Sequence, residues 1–222
     1  MGQYYKPANL DKKEWLYSHR YDSGLKLMEH SWMRNHLVLA VERLLIPGGA
    51  WHKTRMVWGG DYSEMKELIP EDIRNKYKLW YKKNHSKYAT NYPENQIPTA
   101  YDMCMDENDT NEAGEKLPAP KWAFKEVHPE SLTNKESAKY KFIVNHTKKM
   151  FFDKTKVPED KDGWRVHPLP LITADSNGGG GSYHSEKGIN WFGLWCGDVI
   201  SLEEKIPTTD YFIEVKPDFK EE

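Results

Sequence analysis

The residues with the clearest chemical capacity are scattered histidines and carboxylates and one run of four glycines. Glu29 and His30 are adjacent, Asp61 follows Gly59 and Gly60, and Asp175 opens the stretch Ser176-Asn177-Gly178-Gly179-Gly180-Gly181-Ser182-Tyr183-His184. Successive glycines let backbone N–H groups approach an anion without side-chain obstruction, as in phosphate-cradling loops. Neither nucleotide fingerprint is present: no Gly-Lys-Ser/Thr follows the run, and no Gly-x-Gly-x-x-Gly leads into a helix. A ligand loop of Asn177, Gly178, Gly179, Gly180, Gly181, Tyr183 and His184, with Trp58 as a stacking surface, is the functional expectation. A plain surface loop is the ordinary one.

Nine histidines invite a metal hypothesis, yet none forms His-x-His or His-Glu-x-x-His, and no metal is expected. Glu29, His30, Asp61 and Asp175 are the catalytic candidates, and Glu29, His30 and His36 with Asp61 could converge with His167 or His184 into a His-and-carboxylate site. Ser31 beside His30 offers a nucleophile and a base, but adjacent residues rarely present both groups in the required geometry. A third grouping mixes Arg74, Lys76, Lys78, Lys82, Lys83 and Lys87 with Tyr77, Trp80, Tyr81 and Tyr88, as single-strand binders do. At helical spacing its rings fall on one side and its lysines on the other, which is the pattern of an amphipathic helix.

The elements that must hold these residues read as follows. A hairpin joins Tyr4-Tyr5-Lys6 to Trp15-Leu16-Tyr17, and Gly24 to Met28 alternates like a strand. Leu37, Val38, Val41, Leu44 and Leu45 recur at helical spacing, giving a helix over 33–46 with Ser31 as N-cap, stopped by Pro47-Gly48-Gly49. His52 to Trp58 reads as a strand, and Pro70-Glu71-Asp72 opens a second helix. After a weakly patterned middle, Tyr140 to Val144 and Phe151-Phe152 form another hairpin. Trp164 to Ile172 reads as extended edge chain because of Pro168 and Pro170, and Val199 to Leu202 and Tyr211 to Val215 end the series as strands.

Two stretches echo each other. Asn9-Leu10-Asp11-Lys12-Lys13 answers Asn145-His146-Thr147-Lys148-Lys149, and Trp58-Gly59-Gly60-Asp61 answers Trp195-Cys196-Gly197-Asp198. Hairpin turns draw on the same few residues everywhere, so chance similarity is the ordinary reading; if one unit is used twice instead, Asp61 and Asp198 hold equivalent places, and four glycines in the second unit stand where the first has its helix. The fold expected is α+β, a mainly antiparallel sheet from two similar β-rich units with one or two packed helices. The divisions are 1–69, 70–139 as helix plus irregular insertion, and 140–222, together one domain.

Thirty-two Lys and Arg against thirty-four Asp and Glu leave no global field for nucleic acid or an anionic membrane. Two distant cysteines, Cys104 and Cys196, make neither a zinc ribbon nor a disulfide scaffold, and no signal peptide or membrane span is apparent, so a cytoplasmic protein is expected. The segments Met1-Gly2-Gln3-Tyr4-Tyr5-Lys6-Pro7, Gly24 to Ser31, Trp58 to Tyr62, Asn145 to Lys149 and His167 to Leu171 resemble a family of uncharacterised bacterial and bacteriophage proteins. The resemblance spans both units, skips the middle and implies no particular activity; a phage association would imply an accessory protein acting on a host system. The functional expectation is therefore a non-enzymatic binding protein without a cofactor, capturing a nucleotide-like small molecule or a host protein, with homo-oligomers possible. A hydrolase or phosphodiesterase is the alternative, and single-stranded nucleic-acid binding a second one that the charge balance disfavours.

Overall fold

The computed structural model describes residues 3–63, 65–85, 97–105, 110, 113–117, 119–175, 191–208 and 211–216. In chain order its elements are β1 (Tyr5–Asn9), β2 (Glu14–Trp15), α1 (Leu27–His30), α2 (His36–Leu45), β3 (Thr54–Gly60), α3 (Glu71–Asn84), α4 (Ala100–Met103), β4 (Lys125–Glu126), α5 (Asn134–Ser137), β5 (Phe142–Asn145), β6 (Met150–Asp153), α6 (Pro168–Ile172), β7 (Ala174–Asp175), β8 (Val199–Glu203) and β9 (Ile213–Glu214). The strands form one sheet in the order β4-β2-β1-β3-β8-β5-β6-β9, with β7 beside the end of β3. Five pairings are antiparallel, while β2 with β4, β3 with β7 and β6 with β9 are parallel. The fold is α+β.

Alternation along the strands assigns side chains to two faces. Tyr5, Met56, Trp58, Ile143, Phe152, Ile200 and Leu202 join one continuous core under α2 and α6. That core surrounds α2, whose Leu37, Val38, Leu39, Ala40, Val41, Glu42, Leu44 and Leu45 are all buried. Ala8, Trp15 and Val57 point the other way, into a second cluster closed by Ile73 and Tyr77 of α3 and Ala100 and Met103 of α4. Across β5 and β6 that opposite face carries, among the described residues, a small patch of Val144, Phe151 and Phe212.

The sheet repeats itself about a pseudo-twofold axis between the paired residues Arg55 and Val199. β2-β1-β3 and β6-β5-β8 share one connectivity. Asn9 Oδ1 accepts from Lys12 N at 2.8 Å as Asn145 Oδ1 accepts from Lys148 N at 2.8 Å, and Lys13 and Lys149 close these turns at φ 55° and 54°. Leu10 N donates to Arg55 O and His146 N to Val199 O. Lys53 N to Ile200 O matches Gly197 N to Met56 O.

These bonds correct the register of the echo. The counterpart of Trp195-Cys196-Gly197-Asp198 is Trp51-His52-Lys53-Thr54, not Trp58-Gly59-Gly60-Asp61. Asn145 Nδ2 donates to Asp198 Oδ2 at 2.8 Å, and Asn9 Nδ2 donates to Thr54 Oγ1 at 2.5 Å. Asp61 and Asp198 are therefore not equivalent. The true match hides because Lys53 adopts at φ 57° the left-handed conformation that Gly197 adopts at φ 73°. Nor does the second unit lack a helix: Trp51 N donates to Leu44 O of α2, and Trp195 N to Ile172 O of α6.

Three local expectations also change. Leu27 and Met28 begin α1 rather than a strand, since Glu29 reaches back to Lys26 N at 3.0 Å and closes a helical turn. Asn35, not Ser31, caps α2, accepting from Leu37 N at 3.0 Å. Pro168 to Ile172 is helical because Pro168 stands at the first helical position, where the N–H that it lacks has no intrahelical partner, and His167 Nδ1 accepts from Leu169 N.

Candidate functional site

The far end of β3 gathers three of the expected site residues. Trp58 pairs with Ala174 and Gly59 with Asp175, so Asp175 stands beside Gly59, two positions before Asp61. Asn177, Gly178, Gly179, Gly180, Gly181, Tyr183 and His184 themselves lie outside the described residues. Trp58 is fully buried, which corrects its role as a ligand-stacking surface. Its Nε1–H donates to His30 Nε2 at 2.8 Å, while His30 Nδ1–H donates to the Gly24 carbonyl at 3.0 Å.

Those partners fix the His30 tautomer, because an indole only donates and a carbonyl only accepts. Burial pulls the imidazole down to about 4, against the opposing pull of the Gly24 carbonyl and Glu29. With both nitrogens occupied, His30 has no lone pair for a substrate proton. Ser31 Oγ donates to Leu27 O at 2.6 Å and does not serve His30. Glu29 closes the α1 turn, away from Asp175 in its bonding. Asp61 exchanges two bonds with Tyr4, each 3.0 Å, locking the β1–β3 end.

Asp175 is the least satisfied of the set. Burial pushes its carboxyl up to about 6 although Ser63 Oγ donates to Oδ2. Oδ1 has no hydrogen-bond partner among the described residues. No group of three His, Cys, Asp or Glu among the described residues converges as a metal site.

Two polar networks escaped sequence reasoning. Lys154 and His167, both buried, donate to Glu42 Oε1, the histidine at 2.9 Å, and Lys154 also reaches Ser137 Oγ at 2.9 Å. On the face opposite α2, His52 Nε2 meets Glu203 Oε1, which takes the Ser201 hydroxyl; His146 Nε2 meets Ser201 Oγ, each at 2.8 Å. Ser201 spends its proton on Glu203 and is fully buried, so it is no activated nucleophile. Only Glu42, an acid within the apolar run of α2, carried a sequence signal.

A pocket lies where β1 faces α3 and α4. Tyr5 points into the main core, so Lys6 points to the opposite face. Its Nζ sits 4.7 Å from the Trp15 ring centroid and 4.4 Å from that of Tyr101, and donates to Cys104 O at 2.6 Å. Beside it opens a cavity of about 270 Å³, whose lining includes Tyr77, Trp80 and His85. Tyr77 stacks near Tyr81 and meets Trp122 edge-on, each at 6.0 Å, so the wall is braced from behind. Asp102 completes the lining; burial raises its carboxyl above the usual range, opposed by Thr99, whose N and Oγ1 donate at 2.7 and 3.0 Å.

The amphipathic pattern expected of α3 is present. Ile73 and Tyr77 are buried, whereas Lys76, Lys82 and Lys83 are exposed, and Lys76 pairs with Asp72 at 3.0 Å. The aromatic stripe does more than fill a core, since part of it walls the cavity. No family model matches the chain, and neither does any curated protein or solved structure. The pocket offers aromatic faces, a fixed ammonium and a carboxyl edge, a set suited to holding a flat polar ring.

Proposed function

We propose that this is a non-enzymatic binding protein that captures a nucleotide-like small molecule, with a flat heteroaromatic ring lodged in the Lys6 pocket. One observation carries this: Lys6 Nζ sits against the Trp15 and Tyr101 rings and lines a cavity whose lining also holds Tyr77, Trp80 and His85. A base edge mixes donors and acceptors, and Lys6 and Asp102 supply complementary groups. The volume falls just short of the roughly 300–1,000 Å³ of drug-sized sites, which suits the ring system and leaves a sugar or phosphate outside. The hydrolase alternative draws less support, because His30 has no free lone pair.

Such a protein needs no cofactor, and we place it in the cytoplasm: Cys104 and Cys196 are both free buried thiols. Among the described residues no helix is long and apolar enough to cross a membrane.

Titration with the common nucleosides and their monophosphates, followed by tryptophan fluorescence and calorimetry, tests the proposal. Saturable binding is expected, weakened at least tenfold in Lys6→Met and in Trp80→Leu with melting temperatures checked in parallel. If no nucleoside or nucleotide binds, or folded Lys6→Met binds as the parent does, the pocket is not the site. Conversion of the bound nucleotide would overturn the non-enzymatic reading.

A further inference from the structure

A second concavity lies on the α2 side of the sheet, remote in its lining from Lys6. It is a broad groove of about 1,200 Å³, bordered by Trp32, Arg34, α5, Lys154 and the segment from Glu159 to Arg165. Its rim carries Trp164, 60% exposed. An exposed indole costs solvation, and this one is held out by a built device. Asp160 Oδ1 accepts from Asp162 N at 2.9 Å and Trp164 N at 2.8 Å, Asp160 N donates to Trp164 O at 2.7 Å, and Gly163 turns the loop at φ 81°.

Trp32 completes the platform. An antiparallel bridge joins Trp32 to Val166, Met33 N donates to Arg165 O, and Trp32 Nε1 is fixed on Met28 O at 2.5 Å. The two indoles meet edge-on with centroids 5.9 Å apart. Trp164 thus presents an exposed indole, braced edge-on by the partly buried Trp32, at little entropic cost to binding.

The surrounding charges select the ligand. The groove is lined by four carboxylates, Glu29, Glu159, Asp160 and Asp162, against three cations, Arg34, Lys154 and Arg165. That balance gives no field to attract a phosphate-bearing or otherwise polyanionic chain. A neutral ligand with apolar C–H faces and many hydroxyls matches both features, stacking on the indoles and bonding to amides and charged groups around them.

We propose that this groove binds a neutral carbohydrate chain, with Trp164 as the stacking residue. It binds without cleaving: Asp160 Oδ1 is spent on backbone N–H groups, Glu159 pairs with Arg165 at 2.8 Å, and Glu29 is held by Lys26, which leaves Asp162 alone among the groove's four described carboxylates, without the second acid that glycoside hydrolysis uses. The site is independent of the Lys6 pocket, and either can fail alone.

Calorimetry and tryptophan fluorescence with cellohexaose, chitohexaose, maltohexaose and mannohexaose form the test, with heparin and a dT₁₀ oligonucleotide as anionic probes. At least one neutral hexaose should saturate the protein, with affinity unchanged between 50 and 500 mM salt (~3-fold Debye-length change). Trp164→Ala should weaken it at least tenfold, Trp164→Phe less, and Lys6→Met not at all. Trp164 is exposed, so both variants should fold, and circular dichroism checks this. The proposal is overturned if no hexaose binds, if Trp164→Ala binds as the parent does, or if only the anionic probes bind and do so with steep salt dependence.

Discussion

At the scale of single residues, chemistry in this chain is decided by who already holds each polar atom. His30 illustrates this, since two internal partners and complete burial keep it neutral down to about 4. Its folded value is below the unfolded ~6.5, so its contribution is complete above pH 6.5 and is lost as pH falls toward 4, by about 3 kcal/mol at most. Asp175 runs the other way. Its folded value near 6 exceeds the unfolded one of 3.8, so it favours the native state below pH 3.8 and loses that advantage as pH rises through 6. The two trends oppose each other over the same window. Asp175→Asn should therefore raise stability at pH 7 by roughly 1–2 kcal/mol and make the decline between pH 6.5 and 4 steeper than in the parent. Urea denaturation at pH 7, 5.5 and 4 reads both effects; an Asn variant less stable at pH 7 would show that Ser63 satisfies the charged form better than burial penalises it.

At the scale of elements, caps and turns set boundaries that periodicity alone misplaces. The apolar spacing of α2 is legible, yet its start depends on Asn35 accepting from Leu37 N and Val38 N. Asn35→Ala should cost about 1 kcal/mol, visible as a drop of several degrees in melting temperature, whereas Ser31→Ala, if Asn35 is the cap, should leave that helix start intact. Gly60 marks where β3, β7 and the chain's beginning converge. A Cβ there would stand 2.5 Å from Gln3 Nε2 and 2.7 Å from Asp175 O. Because one of those neighbours is backbone, Gly60→Ala should destabilise by roughly 1–3 kcal/mol, measured by urea midpoint. α6 was hidden for a related reason: two prolines suggested extended chain, and only the position of Pro168 in the first turn makes them compatible with a helix.

At the scale of the whole molecule, two similar three-stranded units share the β3–β8 seam, and polar groups cross between them under the sheet. Glu42 lies on α2, Lys154 follows β6 and His167 caps α6. Glu42→Ala would leave a buried ammonium without its partner and should cost about 3–5 kcal/mol, while Glu42→Leu combined with Lys154→Met should recover much of that loss. Thermal melts of the single and double variants decide it. Equal losses in both would mean that the lost hydrogen bonds to Glu42, His167's included, outweigh the stranded charge.

The sequence by itself determined the mixed fold class, the strand pairs of both hairpins and the two longer helices, because hydrophobic period and turn residues are local properties, and it hinted at a repeat that chance turn chemistry explains as well. It also placed the α3 rings on one side and its lysines on the other. Only the tertiary structure decided the register of the repeat, since Lys53 adopts the conformation of Gly197 without its identity. Only it showed His30 and Trp58 to be each other's buried partners, and Lys6, an ordinary strand lysine in sequence, to be caged between rings contributed by residues 9 and 95 positions away. Hydrogen-bond commitment and burial are set by what the fold brings alongside a side chain, and no local pattern encodes that neighbour.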